Sequence, residues 1–122
     1  MPIVDVEVVA GAGDTFAEGL AESLADAVGK ALHSAPGQTW IRLRFLAHGH
    51  YAENGARPDP GYLPVFVVVL KRTIPLPPDL EDEIALLTTA VAEVVGRSGT
   101  SVHVEYAPAG TGRIAFGGAI VR

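Results

Sequence analysis

The chain has 122 residues, 48% of them apolar, and a formal net charge of -5, which suits one domain with a substantial core and argues against nucleic acid as a partner. The absence of cysteine excludes disulfides, thiolate metal ligands and a cysteine nucleophile. No apolar stretch approaches the roughly 20 residues of a membrane span and no basic signal-peptide end is present, so we expect a cytoplasmic protein without a membrane partner.

Residues 3–9 alternate between apolar and acidic side chains, which predicts a strand with one apolar face. Gly11 and Gly13 end this strand. The spacing Thr15-x-x-Glu18 is that of a capping box, so we expect a helix that begins at residues 14–15. One stripe of this helix, which ends near residues 33–37, is apolar and consists of Phe16, Leu20, Leu24, Ala27, Val28, Ala31 and Leu32.

The same order of elements occurs twice. A strand predicted over residues 40–46 completes the first unit, and residues 64–70, 77–95 and 102–106 then predict a strand, a helix and a strand. Ile3 aligns with Pro64 at the same spacing as Ile41 with Val102. The chain is therefore interpreted as a duplicated β-α-β unit.

Two such units joined edge to edge predict an α/β (α+β) fold, a four-stranded sheet with both helices on one face. We expect a single domain over residues 1–122, made of the halves 2–61 and 62–122. The face without helices would carry Asp5, Glu7, Arg42, Arg44, His103 and Glu105. Parallel strands are generally buried on both faces, so we expect oligomerisation to cover this polar face.

Pro2 follows an initiator methionine of the kind that is usually removed before a small residue. Its ring nitrogen would then be a secondary amine, and burial together with nearby cations lowers an amine pKa from about 8 towards neutrality. Pro2 is therefore a candidate general base. The alternative is that this proline is only tolerated at the start of a strand.

The stretch from residue 101 to residue 118 reads SVHVEYAPAGTGRIAFGG, and residues 48–55 read HGHYAENG. With Pro2 and the duplication, these stretches resemble the tautomerase superfamily, and the first is similar to the carboxy-terminal half of 4-oxalocrotonate tautomerase. The likeness covers the whole chain. Because both halves lie in one chain, it is similar to the long members, such as 5-carboxymethyl-2-hydroxymuconate isomerase, malonate semialdehyde decarboxylase and cis-3-chloroacrylic acid dehalogenase. The resemblance implies a homotrimer with one site per subunit.

The resemblance also implies arginines that bind a substrate carboxylate. Arg72 follows the third strand, where the long dehalogenases and decarboxylases carry such arginines, and Arg42 and Arg44 lie on a strand that carries one in the short members. Guanidinium groups grip carboxylates bidentately and stabilise an enolate. The alternatives are a solvated strand end for Arg72 and ion pairs with Asp5 and Glu7 for the other two.

Five further positions have a functional and a structural interpretation. Tyr51 occupies the hairpin position of an aromatic residue near the proline in the short members, where it covers the site, donates to the enolate or only plugs the hairpin. Lys71 would point away from Arg72 and is expected at the surface. The histidines at positions 33, 48 and 50 match no strong metal pattern, so we expect neither a metal nor a cofactor.

The function predicted first is a cofactor-independent keto-enol tautomerase or isomerase that moves a proton on a small carboxylate of the 2-keto or 2-hydroxy-dienoate type, with Pro2 as general base. A second reading is a hydratase, dehalogenase or decarboxylase, in which protonated Pro2 acts as acid and water adds to an alkene. That route needs a water-activating residue, for which His33 is the only candidate in the sequence. A third is a non-catalytic trimeric binding protein.

Overall fold

The alternating valines of the first segment form an inner strand of the sheet. The computed structural model describes all 122 residues. Its elements, in chain order, are β1 (Ile3–Ala10), α1 (Leu20–Ala31), β2 (Trp40–Ala47), β3 (Val65–Leu70), α2 (Asp79–Val95), β4 (Val102–Tyr106), β5 (Ala115–Phe116) and β6 (Ala119–Ile120).

The four long strands form one sheet in the order β2-β1-β3-β4. Strands β1 and β2 are parallel, as are β3 and β4, and the two units meet along the antiparallel pair of β1 and β3. This arrangement confirms the predicted duplicated β-α-β fold. The short strands β5 and β6 form a separate antiparallel hairpin around Gly117 and Gly118.

Both helices pack on one face of the sheet, as predicted. Val4, Val6 and Val8 of β1 are fully buried and belong to the same cluster as Leu24 of α1 and Leu87 of α2. Each such side chain contributes roughly 1.5–3 kcal/mol when it leaves water, so the alternation in β1 decides which face meets the helices. Neither helix combines the length and the apolar character needed to cross a membrane.

Helix α1 begins later than the capping-box spacing predicts. Gly19, in the left-handed region with a φ of 74°, precedes Leu20, and no side chain caps the helix. Asp14 is engaged elsewhere, because its Oδ2 accepts hydrogen bonds from the Gly11 N–H at 2.6 Å and from Arg97 at 3.0 Å. The prediction of a helix start at residues 14–15 is therefore wrong, and Asp14 holds the loop before α1 instead of capping the helix.

Candidate active site

Pro2 lies at one end of the sheet, between the first residue of β2 and the last residue of β3. Its carbonyl accepts a hydrogen bond of 3.0 Å from the Trp40 N–H. The antiparallel register pairs Ile3 with Leu70, so Pro2 and Lys71 face each other one step beyond that pair. Pro2 is partly buried. Neighbouring strands on both sides thus hold residue 2 in place.

The carboxy-terminal segment, residues 107–122, crosses this end of the sheet. Its Gly110 N–H donates to the Lys71 carbonyl at 2.9 Å, and Thr111 donates through its N–H and its Oγ1 to the Arg72 carbonyl at 3.2 and 3.0 Å. These bonds attach the segment to the backbone that follows β3.

The same segment also reaches β2. The ring of Phe116 meets the Trp40 ring edge-on, with 5.2 Å between centroids. Since β1 lies between β2 and β3, a segment that touches the ends of both strands must pass Pro2. Pro2 therefore lies between the start of β2, which carries Trp40, and the basic residues after β3. Sequence reasoning did not single out Trp40 or Phe116, because their contact depends on how the hairpin folds back.

Gly110 is the buried position at which the carboxy-terminal segment joins the sheet end. A Cβ there would lie 2.7 Å from Ile114 Cγ1 and 3.3 Å from the Lys71 carbonyl oxygen. We expect Gly110→Ala to loosen the hairpin and to cost about 1–3 kcal/mol by overpacking. Faster amide exchange at Gly112, which donates to the Val121 carbonyl, would register the change.

Gly49→Ala is the matched control for that substitution, because a Cβ at Gly49 meets nothing within 4 Å. Protection at Gly112 should be unchanged in the control. Equal protection in both variants would mean that Gly110 is not what fixes the hairpin.

Arg72 lies at the same end of the sheet as Pro2. Its side chain is exposed, and Nη2 donates a hydrogen bond to the backbone oxygen of Arg122. It forms no ion pair with a carboxylate side chain, in contrast to Arg42, Arg44 and Arg97. No carboxylate side chain therefore neutralises its positive charge.

Arg42 and Arg44 lie on the open face, the side of the sheet without helices. Arg42 donates to both carboxylate oxygens of Asp5, at 2.5 and 3.0 Å, and Arg44 lies 4.0 Å from Glu7. The hydrogen bond to Asp5, followed by its charge, raises the pKa of Arg42. Asp5 stands three residues from Pro2, about 10 Å along the strand. Within one chain these arginines therefore pair with carboxylates, the alternative that the sequence left open.

Tyr51 lies towards the other end of β1. Its ring is 6.0 Å from that of Phe66, which pairs with Glu7 in the sheet. Five residues separate Glu7 from Pro2, a distance of about 17 Å along a strand. Tyr51 donates a 2.6 Å hydrogen bond to Glu53, and this bond is the main cause that raises the pKa of the Tyr51 phenol. Tyr51 and Pro2 of one chain are therefore not brought together.

Lys71 does not lie at the surface, and that prediction is wrong. It points away from Arg72, towards the helices, where Nζ lies 2.7 Å from the Glu83 carboxylate of α2, with side chains only 17% and 14% exposed. The second Glu83 oxygen accepts a 2.5 Å hydrogen bond from the Tyr106 hydroxyl. Burial, and then this hydrogen bond, raise the pKa of Tyr106 well above its ordinary value. The partner on α2 could not be identified from the strand pattern alone.

Close to this cluster, a cleft of about 320 Å³ separates the end of α1 from the start of α2. His33, Asp79 and Asp82 line it together with Glu83. No group of three or more histidine or carboxylate side chains is arranged to hold a metal ion, in this cleft or elsewhere. His33 adopts a left-handed backbone with a φ of 55° at the end of α1.

No protein-family model and no curated protein sequence matches the chain. Several solved structures do. A fused 4-OT, described as a wild-type symmetric trimer, aligns with a TM-score of 0.72 and 19% identity over 98% of this chain and 94% of that chain. The macrophage migration inhibitory factor of Trichinella spiralis aligns with a TM-score of 0.69 and 13% identity over 97% and 98% of the two chains.

A third similar structure is FG41 malonate semialdehyde decarboxylase inhibited by 3-bromopropiolate, with a TM-score of 0.68 and 16% identity over 96% of this chain and 92% of that chain. At these identities the likeness concerns the fold. The end-to-end alignments with a fused 4-OT and with the decarboxylase agree with the resemblance noted from the sequence. The chain therefore has the fold of the tautomerase superfamily.

Proposed function

We propose that the protein is a keto-enol tautomerase or double-bond isomerase of small carboxylates, with the Pro2 amine as general base after removal of Met1. One observation carries this proposal: Pro2 shares the end of the sheet with Arg72, a cation that pairs with no carboxylate side chain, beneath the carboxy-terminal segment. A base and an anion-binding group are the two parts that proton transfer on a carboxylate substrate requires.

The reaction would proceed in two proton transfers. The Pro2 nitrogen takes a proton from the carbon beside the substrate carbonyl, and the electron pair of that C–H bond moves onto the carbonyl oxygen to give an enolate. Arg72 holds the carboxylate and stabilises the enolate charge. The protonated Pro2 then returns the proton to oxygen or to another carbon, so that the product is an isomer of the substrate and the amine is regenerated.

The remaining site candidates fit a homotrimer, which we propose as the working form. Arg42 and Arg44, already paired with carboxylates across β1 and β2, would stabilise the open face inside the assembly more than they would hold substrate. Tyr51, distant from Pro2 of its own chain, would reach a site only from an adjoining copy. The similar fused 4-OT structure is described as a trimer, which supports this arrangement.

The chemistry can be tested with the protein lacking Met1, verified by intact mass. We expect it to accelerate ketonisation of phenylenolpyruvate, followed by ultraviolet absorbance, and to release no halide from a 3-halo acrylate. Arg72→Ala should raise KM for the enol carboxylate about tenfold or more, because a charge-assisted contact is lost.

Lys30→Ala, an exposed cation on α1, is the control for charge and should leave KM unchanged. Halide release without enol turnover would favour the hydratase, dehalogenase or decarboxylase reading, in which His33 activates water. Absence of activity on every substrate would favour a non-catalytic binding protein. Equal KM values for Arg72→Ala and the unsubstituted protein would remove Arg72 from the site.

A further inference from the structure

A partly buried ion pair stands beside Pro2, and the proposed proton transfers do not use it. Lys71 and Glu83 are joined at 2.7 Å, and the Tyr106 hydroxyl donates to the same carboxylate at 2.5 Å. The three residues come from different parts of the fold: Lys71 follows β3, Glu83 lies in α2 and Tyr106 ends β4. Lys71 therefore bonds to one oxygen of Glu83, and Tyr106 holds the other oxygen of the same carboxylate.

The strand registers place this cluster on the same side of the sheet as the Pro2 ring. Val4 is buried under the helices and pairs with Val69, which in turn pairs with Tyr106. Pro2 is two positions before Val4 and Lys71 is two positions after Val69, so both face the helix layer. Residues directly opposite in an antiparallel pair have Cβ atoms about 4.5–5.5 Å apart.

The two charges of the pair act on the Pro2 amine in opposite directions. A nearby cation disfavours the protonated amine, and a nearby carboxylate favours it. Lys71 is the member directly across from Pro2, whereas Glu83 reaches in from α2 and gives its two oxygens to separate donors. We therefore assign the stronger effect on the Pro2 amine to the Lys71 cation, whereas the Glu83 carboxylate fixes the position of that cation and partly neutralises its charge.

We propose that Lys71 is a positioning residue for the reaction: its ammonium, held by Glu83, keeps the Pro2 amine unprotonated near neutral pH. This inference rests on the proposed role of Pro2 as base. It assigns Lys71 no contact with substrate, because the proposed function gives that contact to Arg72. Tyr106, whose raised pKa keeps it protonated, is the donor that holds Glu83 in place.

Other charged groups near this end of the sheet also contribute to the field at Pro2. Arg72 and Arg113 are cations bonded to backbone oxygens, while the helix cleft holds His33, Asp79 and Asp82, and Asp5 is paired with Arg42 on the opposite face. All of them stay unchanged when the Lys71–Glu83 pair is altered. A comparison among variants of the pair therefore isolates its effect.

The test is the pH at which the amine loses its proton, measured by pH-rate profiles and by NMR titration of isotope-labelled Pro2 in protein lacking Met1. Activity should rise with pH as the amine becomes neutral. Lys71→Met leaves the Glu83 carboxylate unbalanced, so the midpoint should move about one pH unit higher. Glu83→Gln leaves the Lys71 ammonium unbalanced, so the midpoint should move lower by a smaller amount.

The double variant Lys71→Met with Glu83→Gln should have a midpoint above that of the unsubstituted protein but below that of Lys71→Met, because the stronger of the two opposing charges is the cation. Lys71→Arg, which retains the charge, should hardly move the midpoint. Shifts of the two single variants in the same direction, or no shift in either, would overturn the proposal. The NMR titration reports on Pro2 without turnover. Opposite shifts in a protein inactive on every substrate would contradict the proposed reaction but leave the role of Lys71 intact.

Discussion

A chain extended by a few residues ahead of Pro2 is expected to turn over enol carboxylates about 10²–10⁴-fold more slowly than the chain that begins with Pro2, which is the usual contribution of a general base. In the extended chain the proline nitrogen is an amide, whose lone pair is delocalised into the carbonyl and cannot accept a proton. Initial rates of phenylenolpyruvate ketonisation at neutral pH measure the loss.

The fold should not change, because an internal proline has no N–H to donate to the strand ladder, so no hydrogen bond of the sheet depends on whether the Pro2 nitrogen is an amide or a free amine. Pro2 enters the sheet through its carbonyl, which accepts from Trp40 in either form of the chain. We expect unfolding free energies within about 0.5 kcal/mol of each other, as for surface changes. The extended chain therefore loses the base without losing structure. Pro2→Ala is a weaker test, because the amine of a terminal alanine can also accept a proton.

A protease site placed immediately ahead of Pro2 gives the matched control. Cleavage of the extended protein should restore activity in the same sample, in proportion to the fraction of cleaved chains seen by intact mass. An uncleaved protein as active as the cleaved one would show that the Pro2 nitrogen is not the base.

Patterns confined to one element were predictable from the sequence. The alternation of Val4, Val6 and Val8 correctly identifies the buried face of β1, because strand side chains alternate whatever surrounds them. The start of α1 was not predictable, because the side chain of Asp14 is used by Arg97, 83 positions away. The spacing of residues near the helix start does not reveal the contact between Asp14 and Arg97.

The candidate site follows the same division. That Pro2 and Arg72 share one end of the sheet follows from pairing the two halves along β1 and β3. The aromatic contact of Trp40 with Phe116 and the partner of Lys71 depend on the path of the carboxy-terminal segment and on the position of α2, neither of which leaves a periodic signal. Strand patterns thus predict that Pro2 and Arg72 lie at one end of the sheet, but not which side chains surround Pro2.

Arg97 is a residue that sequence reasoning passed over, and its replacement should cause the largest loss of stability outside the core. Its side chain is 11% exposed. Nη1 donates to the backbone carbonyls of Val9 and Leu63, both at 2.9 Å, and Nη2 donates to Asp14 at 3.0 Å. One guanidinium therefore joins the end of β1, the approach to β3 and the loop before α1.

We expect Arg97→Met to lower the free energy of unfolding by about 3 kcal/mol, measured by urea titration. Methionine retains much of the apolar stem but leaves two carbonyl oxygens at buried residues without a donor, and each such orphan costs about 1–3 kcal/mol. Asp14, 38% exposed, can turn to water and adds less. Arg97→Lys should recover part of the loss, since an ammonium can reach some of these oxygens but not all of them in the planar geometry of arginine.

Arg57→Met is the control, because Arg57 is exposed and makes no hydrogen bond or ion pair. It should change stability by no more than about 0.5 kcal/mol. A stability loss for Arg97→Met as small as that of the control would contradict this prediction. Water would then have to satisfy the carbonyls of Val9 and Leu63. The Arg97 guanidinium would not be what joins the two halves of the sheet at the end distant from Pro2.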